Sequence, residues 1–331
     1  MRLIPSLIAY ILVLSGCTTG PDEYLFQGGT MGTSWSVKIV TNVTLDQTET
    51  SDAIQEVLDL VSSKMSNWDI ASEISQFNAA SAGCYPISPE TATVVNVSQE
   101  LSRLSEGVFD ATVGPLIELW GFGTNYGADQ MPESLEIEAL IPEIGYQKLD
   151  LNSLDLCKEI DKLFVNLSAT AKGYGVDLVA EYLESAKLDR YLVEIGGEVR
   201  VSGLNAEDQK WRIGIEMPLD GLQLPSTDAI QGLVEMDRGA LATSGDYRNY
   251  FLHEDRRYSH VIDPRTGYPI LQELASVTVI HDSTLWADGW ATTLLALGPE
   301  KGLQLAEQQN LAAYLVLRTD TGFEVLTSSS W

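Results

Sequence analysis

The sequence predicts an α+β fold in which strands pair antiparallel, and three observations predict it. Short stretches rich in β-branched and aromatic residues recur along the chain, and apolar patterns of helical spacing fall between them without a regular strand–helix alternation. Two strand-like stretches, 191–202 and 211–216, follow one another through a short polar loop, which favours antiparallel pairing. Taken in order, residues 34–40 form the first expected strand. Ile54, Val57, Leu58, Val61 and Met65 then recur on one helical face. Val94, Val97, Leu101 and Leu104 do the same after Ser88-Pro89, where proline suits a helix's first turn. A third helix is expected from Ala171 to about Leu188, with Val176, Val179, Ala180 and Leu183 inward. Strands at 191–202, 211–216, 233–236 and 277–280 follow, a fourth helix opens near Asp288, and the strand 313–318 comes last.

The 331 residues carry 44% apolar side chains, enough for a sizeable core, so disordered and fibrous classes are excluded. A formal charge of −27 would repel a nucleic-acid backbone. The first residues are read as a targeting segment. Arg2 precedes an apolar run from Leu3 to Leu14 that is too short for a stable anchor and ends in Leu14-Ser15-Gly16-Cys17. This is similar to a bacterial lipoprotein signal over residues 1–16, with Cys17 acylated and 17–23 a linker. No linker, repeat or low-complexity tract divides the remainder, so 24–331 is one expected domain. Cys84 and Cys157 fit no metal or redox spacing; two buried thiols are the favoured reading and a disulfide the alternative. His253, His260 and His281 are too scattered for a zinc site, which leaves a hard cation as the metal to look for.

Several segments could carry chemistry, and each has an ordinary structural explanation beside it. Asp288 and Thr292, four apart at an expected helix start, offer two oxygens to a cation such as Mg²⁺, although an aspartate there also suits the helix dipole. The run from His260 to Pro269 reads as a turn that brings His260, Asp263 and Arg265 onto one bend. Residues 242–247 and 194–198 set glycine beside polar groups, either for ligand approach or for a bulge or tight turn. Neither the Rossmann fingerprint nor the P-loop is present.

Together these segments are far more specific. Gly-Thr-Met-Gly-Thr at 29–33, Phe-Asp-Ala-Thr-Val-Gly-Pro-Leu at 109–116, Ser-Ala-Thr-Ala-Lys-Gly-Tyr at 168–174 and Glu-Ile-Gly-Gly-Glu at 194–198 stand in order. Ala-Thr-Ser-Gly-Asp-Tyr at 242–247, His-Val-Ile-Asp-Pro-Arg-Thr-Gly at 260–267 and Ala-Asp-Gly-Trp-Ala-Thr at 287–292 complete the set. The set resembles the ApbE-like FAD:protein FMN transferases over residues 24–331. The resemblance implies a T-fold-like α+β architecture, mainly antiparallel sheet with packed helices. It also implies an enzyme that takes FAD, uses Mg²⁺, joins FMN by a phosphoester to a Thr or Ser hydroxyl and releases AMP. Its implied partners are subunits of the sodium-translocating NADH:quinone oxidoreductase or an Rnf-type complex, reached from the periplasmic face of the inner membrane.

Carried over by position, Asp288, Thr292 and the Ala169 carbonyl match the metal ligands. Met31, Trp68, Val108, Phe109, Asp110, Lys172, His260 and Ile262 match FAD contacts. Trp68 stands where the family has Tyr, a swap that keeps a stacking surface, and Asn166 stands where it commonly has Asp. His260 is the first candidate for the general base, with Asp246 and Asp263 competing. A Mg²⁺-dependent FAD pyrophosphatase and a non-catalytic FAD-binding lipoprotein are the alternative functions.

Overall fold

A computed structural model describes residues 20–124, 131–219, 230–247, 249–254, 256–270 and 274–331; the signal segment and Cys17 lie outside the described residues. The chain opens with a hairpin, β1 (Asp22–Thr30) and β2 (Thr33–Thr41), turned through Met31 and Gly32, both at positive φ (47° and 74°). Next comes α1 (Gln47–Met65), whose first free N–H groups, on Thr48 and Glu49, donate to the Asp46 side chain. Its buried positions Ile54, Leu58, Val61 and Met65 repeat at helical spacing. Then follow α2 (Glu73–Ala79), β3 (Gly83–Pro86) and α3 (Pro89–Leu104), the last capped by Ser88 with proline in its first turn. Short α4 (Gly114–Leu119) and α5 (Ser134–Leu140) lead to β4 (Leu149–Asn152) and β5 (Asp155–Lys158).

The second half begins with α6 (Ser168–Ser185), β6 (Tyr191–Ile195) and β7 (Glu198–Ser202). It continues through β8 (Trp211–Glu216), β9 (Ile230–Met236) and β10 (Arg238–Gly245) to two small hairpins. These are β11 (Tyr250–His253) with β12 (Arg256–Ser259), and β13 (Ile262–Asp263) with β14 (Tyr268–Pro269). After them come β15 (Leu274–His281), α7 (Thr284–Leu297), α8 (Pro299–Gln308), β16 (Ala312–Thr319) and β17 (Gly322–Thr327).

Eight strands make one sheet in the order β1-β2-β6-β7-β10-β15-β16-β17, and every pairing in it is antiparallel. The largest core cluster joins α3, α7 and one face of β15 through side chains such as Leu101, Trp290 and Val277; a second packs α1 and α6 on β2 and β6. α6 and α7 also pack on each other, so the α+β architecture centres on this helix pair beside the sheet.

Four expectations need correction. The stretch 191–202 is two strands, because Gly196 and Gly197 at φ 63° and 109° turn the chain back into a β6–β7 hairpin. β8 pairs with β9 and not with β7, whose free edge is taken by β10. The fourth helix opens at Thr284, capped by Ser283, so Asp288 lies a turn inside it. Finally, Cys84 and Cys157 form a disulfide, with S–S 2.03 Å, because β3 and β5 place them directly opposite one another.

That bond closes a loop of 73 residues, and cross-linking so long a segment restricts the unfolded chain. A double Cys84→Ser, Cys157→Ser variant is expected to lose about 2–5 kcal/mol of stability. Urea midpoints of oxidised wild type and variant test this; equal midpoints would show that the bond contributes nothing.

Candidate active site

One cavity of about 780 Å³ opens where the β1–β2 turn, the end of α1, the segment after α4 and the start of α6 converge. Met31, Trp68, Asn166, Lys172 and His260 line it together with Phe122 and Asn249. Met31 reaches the wall because its left-handed backbone closes the first hairpin, and its side chain packs beside Gly175 of α6, where an added Cβ would lie 3.2 Å from its methyl. Trp68, just beyond α1, is 64% exposed, a large aromatic face held at the mouth. Asn67 anchors that turn by donating through Nδ2 to the Val165 carbonyl at 3.0 Å.

Behind the cavity lies a buried charged group. Lys172 Nζ donates to Glu198 Oε1 at 2.6 Å, and Glu198 is buried directly after the Gly196-Gly197 turn. Its second oxygen, Oε2, is enclosed with no hydrogen-bond partner in the described residues. Asp288 on α7 is 3% exposed and accepts from the Gly173 N–H through Oδ2 at 3.0 Å. Burial pushes its carboxyl up, to about 7; Lys172 opposes the rise and the Glu198 charge adds to it. One turn along α7, Thr292 Oγ1 lies 3.0 Å from Ser244 Oγ of β10. Ala169, in the first turn of α6, is half-buried against the main core. Asp288 is therefore not the exposed capping aspartate its sequence context allowed.

His260 follows β12 and is half-buried at the wall. Its backbone N and its Nδ1 both lie within hydrogen-bond reach of the Asn249 carbonyl, at 3.1 and 3.0 Å. A carbonyl can only accept, so Nδ1 carries the proton and Nε2 keeps its lone pair. Burial lowers the pKa of this imidazole and Lys172 lowers it further, against the Asn249 bond and the Asp246 charge, so the ring is neutral at pH 7. Its two competitors are engaged elsewhere. Asp246 takes both Arg318 guanidinium nitrogens, at 2.9 and 2.7 Å, with Arg257 at 3.6 Å. Asp263 holds Arg265 in the same forked way, at 2.9 and 2.7 Å.

Of the remaining candidates, Val108, Phe109, Asp110 and Ile262 stand off the lining. Val108 and Phe109 are buried in the main core, and Ile262 packs with Trp120 and Tyr258 in a smaller cluster. Asp110 binds its own turn, accepting from Thr112 N and Oγ1 at 2.7 Å each and from Tyr146 N at 2.8 Å. Asn166 lines the cavity but commits Oδ1 to Ser168 N and Oγ, which secures the start of α6. Glu198 stands in the Glu-Ile-Gly-Gly-Glu segment with no role of its own assigned from sequence, and Asn249 lies in no segment singled out. A charged residue straight after Gly-Gly is the one local hint for Glu198, and Asn249 has none.

The ApbE family model matches residues 31–315, most of the chain. The chain belongs to the ApbE family. A Vibrio cholerae relative named FAD:protein FMN transferase is 40% identical over 328 residues, covering 98% of this chain and 96% of the relative. One from Haemophilus influenzae with the same name is 38% identical over 340 residues, covering 100% and 97%. The solved Vibrio cholerae flavin transferase ApbE superposes with a TM-score of 0.85 at 39% identity, covering 94% of this chain and 98% of that one. The apo flavinyl transferase ApbE of Pseudomonas stutzeri gives 0.86 at 37%, covering 95% and 96%. Agreement over nearly the whole length makes the fold of this ApbE-family chain that of the flavin transferases.

Proposed function

We propose that this chain is an FAD:protein FMN transferase that joins FMN through a phosphoester to a Thr or Ser hydroxyl of a partner protein and releases AMP. The observation that carries the reading is the shared cavity, in which an exposed aromatic face, a lysine and a neutral imidazole meet in front of a buried carboxylate. Relatives at 34–40% identity bear the transferase name. Trp68 and Met31 offer polarisable surface to the flavin ring, and Lys172 offers charge to the diphosphate.

Mg²⁺ fits the donors present. Asp288, Thr292 and the Ala169 carbonyl are all hard oxygen ligands, and Glu198 leaves a buried carboxylate oxygen without a partner in the described residues. A cation would offset the burial cost of Asp288. Among the described residues no three His, Cys, Asp or Glu side chains gather into a metal cluster, so backbone, hydroxyl and substrate oxygens would complete the set. Bound there, Mg²⁺ would supply neutralisation of charge on the diphosphate.

The chemistry left to the chain is positioning and one proton transfer. The partner's hydroxyl oxygen attacks the FMN phosphorus, the bridging P–O bond to AMP breaks with its electron pair going to AMP, and the hydroxyl proton passes to His260 Nε2. Acylation at Cys17 and a position on the periplasmic face of the inner membrane are part of this proposal, supported by the likeness of residues 1–17 to a lipoprotein signal. Redox subunits of the sodium-translocating NADH:quinone oxidoreductase or Rnf kind would be its targets there.

Incubation with FAD, Mg²⁺ and such a subunit tests the reading. Covalent flavin on the subunit supports it; free FMN with AMP would replace it by a pyrophosphatase, and unchanged FAD by a binding protein. Trp68→Ala is expected to weaken FAD by about tenfold, since base-like rings stacked on aromatic residues contribute about 1–3 kcal/mol. Equilibrium titration checks this, and an unchanged dissociation constant would remove the flavin from that end of the cavity.

A further inference from the structure

Asp177 lies on α6, buried, and both of its oxygens are fully engaged. Oδ1 accepts from Thr284 N at 2.9 Å and Arg200 at 2.7 Å; Oδ2 accepts from Ser283 Oγ at 2.7 Å and Leu285 N at 3.0 Å. Three of these donors stand at the start of α7, where backbone N–H groups lack helical partners and the helix dipole favours a negative charge. A helix ordinarily caps itself from the preceding residue. Here Ser283 caps Trp286 N, and a carboxylate more than a hundred residues earlier takes Thr284 N and Leu285 N.

One turn away on both helices lies the transfer site. Gly173, four residues before Asp177, donates to Asp288, four residues after Thr284. The helices are so close there that a Cβ on Gly173 would sit 2.4 Å from the Thr284 carbonyl oxygen and 2.8 Å from the Asp288 Cβ. A side chain at 173 would force the two helices apart at this point. Arg200, the fourth donor, sits on β7 two residues from Glu198, which holds Lys172. One carboxylate thus ties together the three elements that carry Lys172, Glu198 and the pair Asp288 and Thr292.

We propose that Asp177 is a positioning residue of the transfer site: it locks the start of α7 to α6 and β7 and so fixes where Asp288 and Thr292 present their oxygens. The proposal rests on the flavin-transferase reading and its cation. A cap that served stability alone would lower the melting temperature of a variant and leave the cation site untouched.

Direct binding of Mn²⁺, used in place of Mg²⁺ and read by electron paramagnetic resonance with FAD present, separates the two. Asp177→Asn turns one acceptor into a donor that faces other donors. Mn²⁺ binding is expected to weaken by about tenfold or more, the scale on which groups that orient metal ligands act. Ser283→Ala, which keeps the carboxylate and removes one of its donors, should fold normally and weaken Mn²⁺ by about threefold. Uptake by both variants within error of wild type would overturn the proposal alone. Absence of Mn²⁺ uptake by the wild-type protein would overturn the cation reading, and this proposal with it, while leaving FAD binding to be judged by its own titration.

Discussion

Asp288→Asn is expected to fold as the wild type does and to lose metal-dependent transfer by about a thousandfold. The size follows from the several kcal/mol that a cation held at a phosphoryl group supplies, each 1.36 kcal/mol being about tenfold in rate. The fold survives because the amide oxygen can still accept from Gly173 N, the contact that sets α6 against α7. Stability should not fall and above neutrality should rise. Burial has raised the folded-state pKa of Asp288 to about 7, so its contribution is present below the unfolded carboxylate value and lost as pH rises through 7. The amide never ionises and escapes that loss. The same shift makes the proton a competitor of the cation in the wild type, so half-activation by Mg²⁺ should worsen by about tenfold per unit as pH drops below 7. Rates of covalent flavin formation at saturating FAD and Mg²⁺, with melting curves at pH 6 and 8, test both halves. A variant rate within fivefold of wild type would remove Asp288 from the cation site.

Local signals announced the elements whose apolar spacing is complete within one turn or two. Ile54, Leu58 and Val61, or Val94 and Leu101, need nothing from distant sequence to declare a helix face, and α1 and α3 stand where they were expected. β1 escaped notice because, at the edge of the sheet, it buries only Phe26 fully, and its continuous Tyr-Leu-Phe run hides the alternation from the sequence. The reversal at Gly196-Gly197 escaped because two glycines inside a β-rich run read as well for a bulge as for a hairpin. Cys84 and Cys157 face one another only through the register of β3 on β5, which no spacing encodes. At the site, family motifs brought Met31, Trp68, Lys172 and His260 to one cavity. Motif membership did not distinguish residues that line that cavity from residues that build it. Asp110 lies in a motif and secures a turn, whereas Asn249 lies in none and fixes the imidazole. Asp177 was hidden for a related reason: on sequence it is a polar position in an apolar helix, and three of its four partners are 106 to 108 residues away.

His260→Ala is expected to slow transfer by about 10²–10⁴, the range for loss of a placed general base. The argument turns on the Asn249 carbonyl. It accepts from Nδ1, which leaves Nε2 unprotonated at the cavity wall, and burial holds the ring's pKa below the usual 6.5. A base with a lowered pKa remains competent at a pH where an ordinary imidazole is half protonated. The wild-type rate under saturating Mg²⁺ should therefore be flat from pH 8 to about 6.5 and fall only below the depressed value. In the alanine variant that acid limb disappears, because the group that titrates is gone. FAD affinity should change far less than the rate, since Trp68 and Lys172 still line the cavity. Added imidazole, small enough for the space left at the wall, should restore part of the activity as its free-base fraction rises with pH. A variant that keeps the acid limb, or whose loss lies wholly in FAD affinity, would make His260 a binding residue and assign the proton to another acceptor.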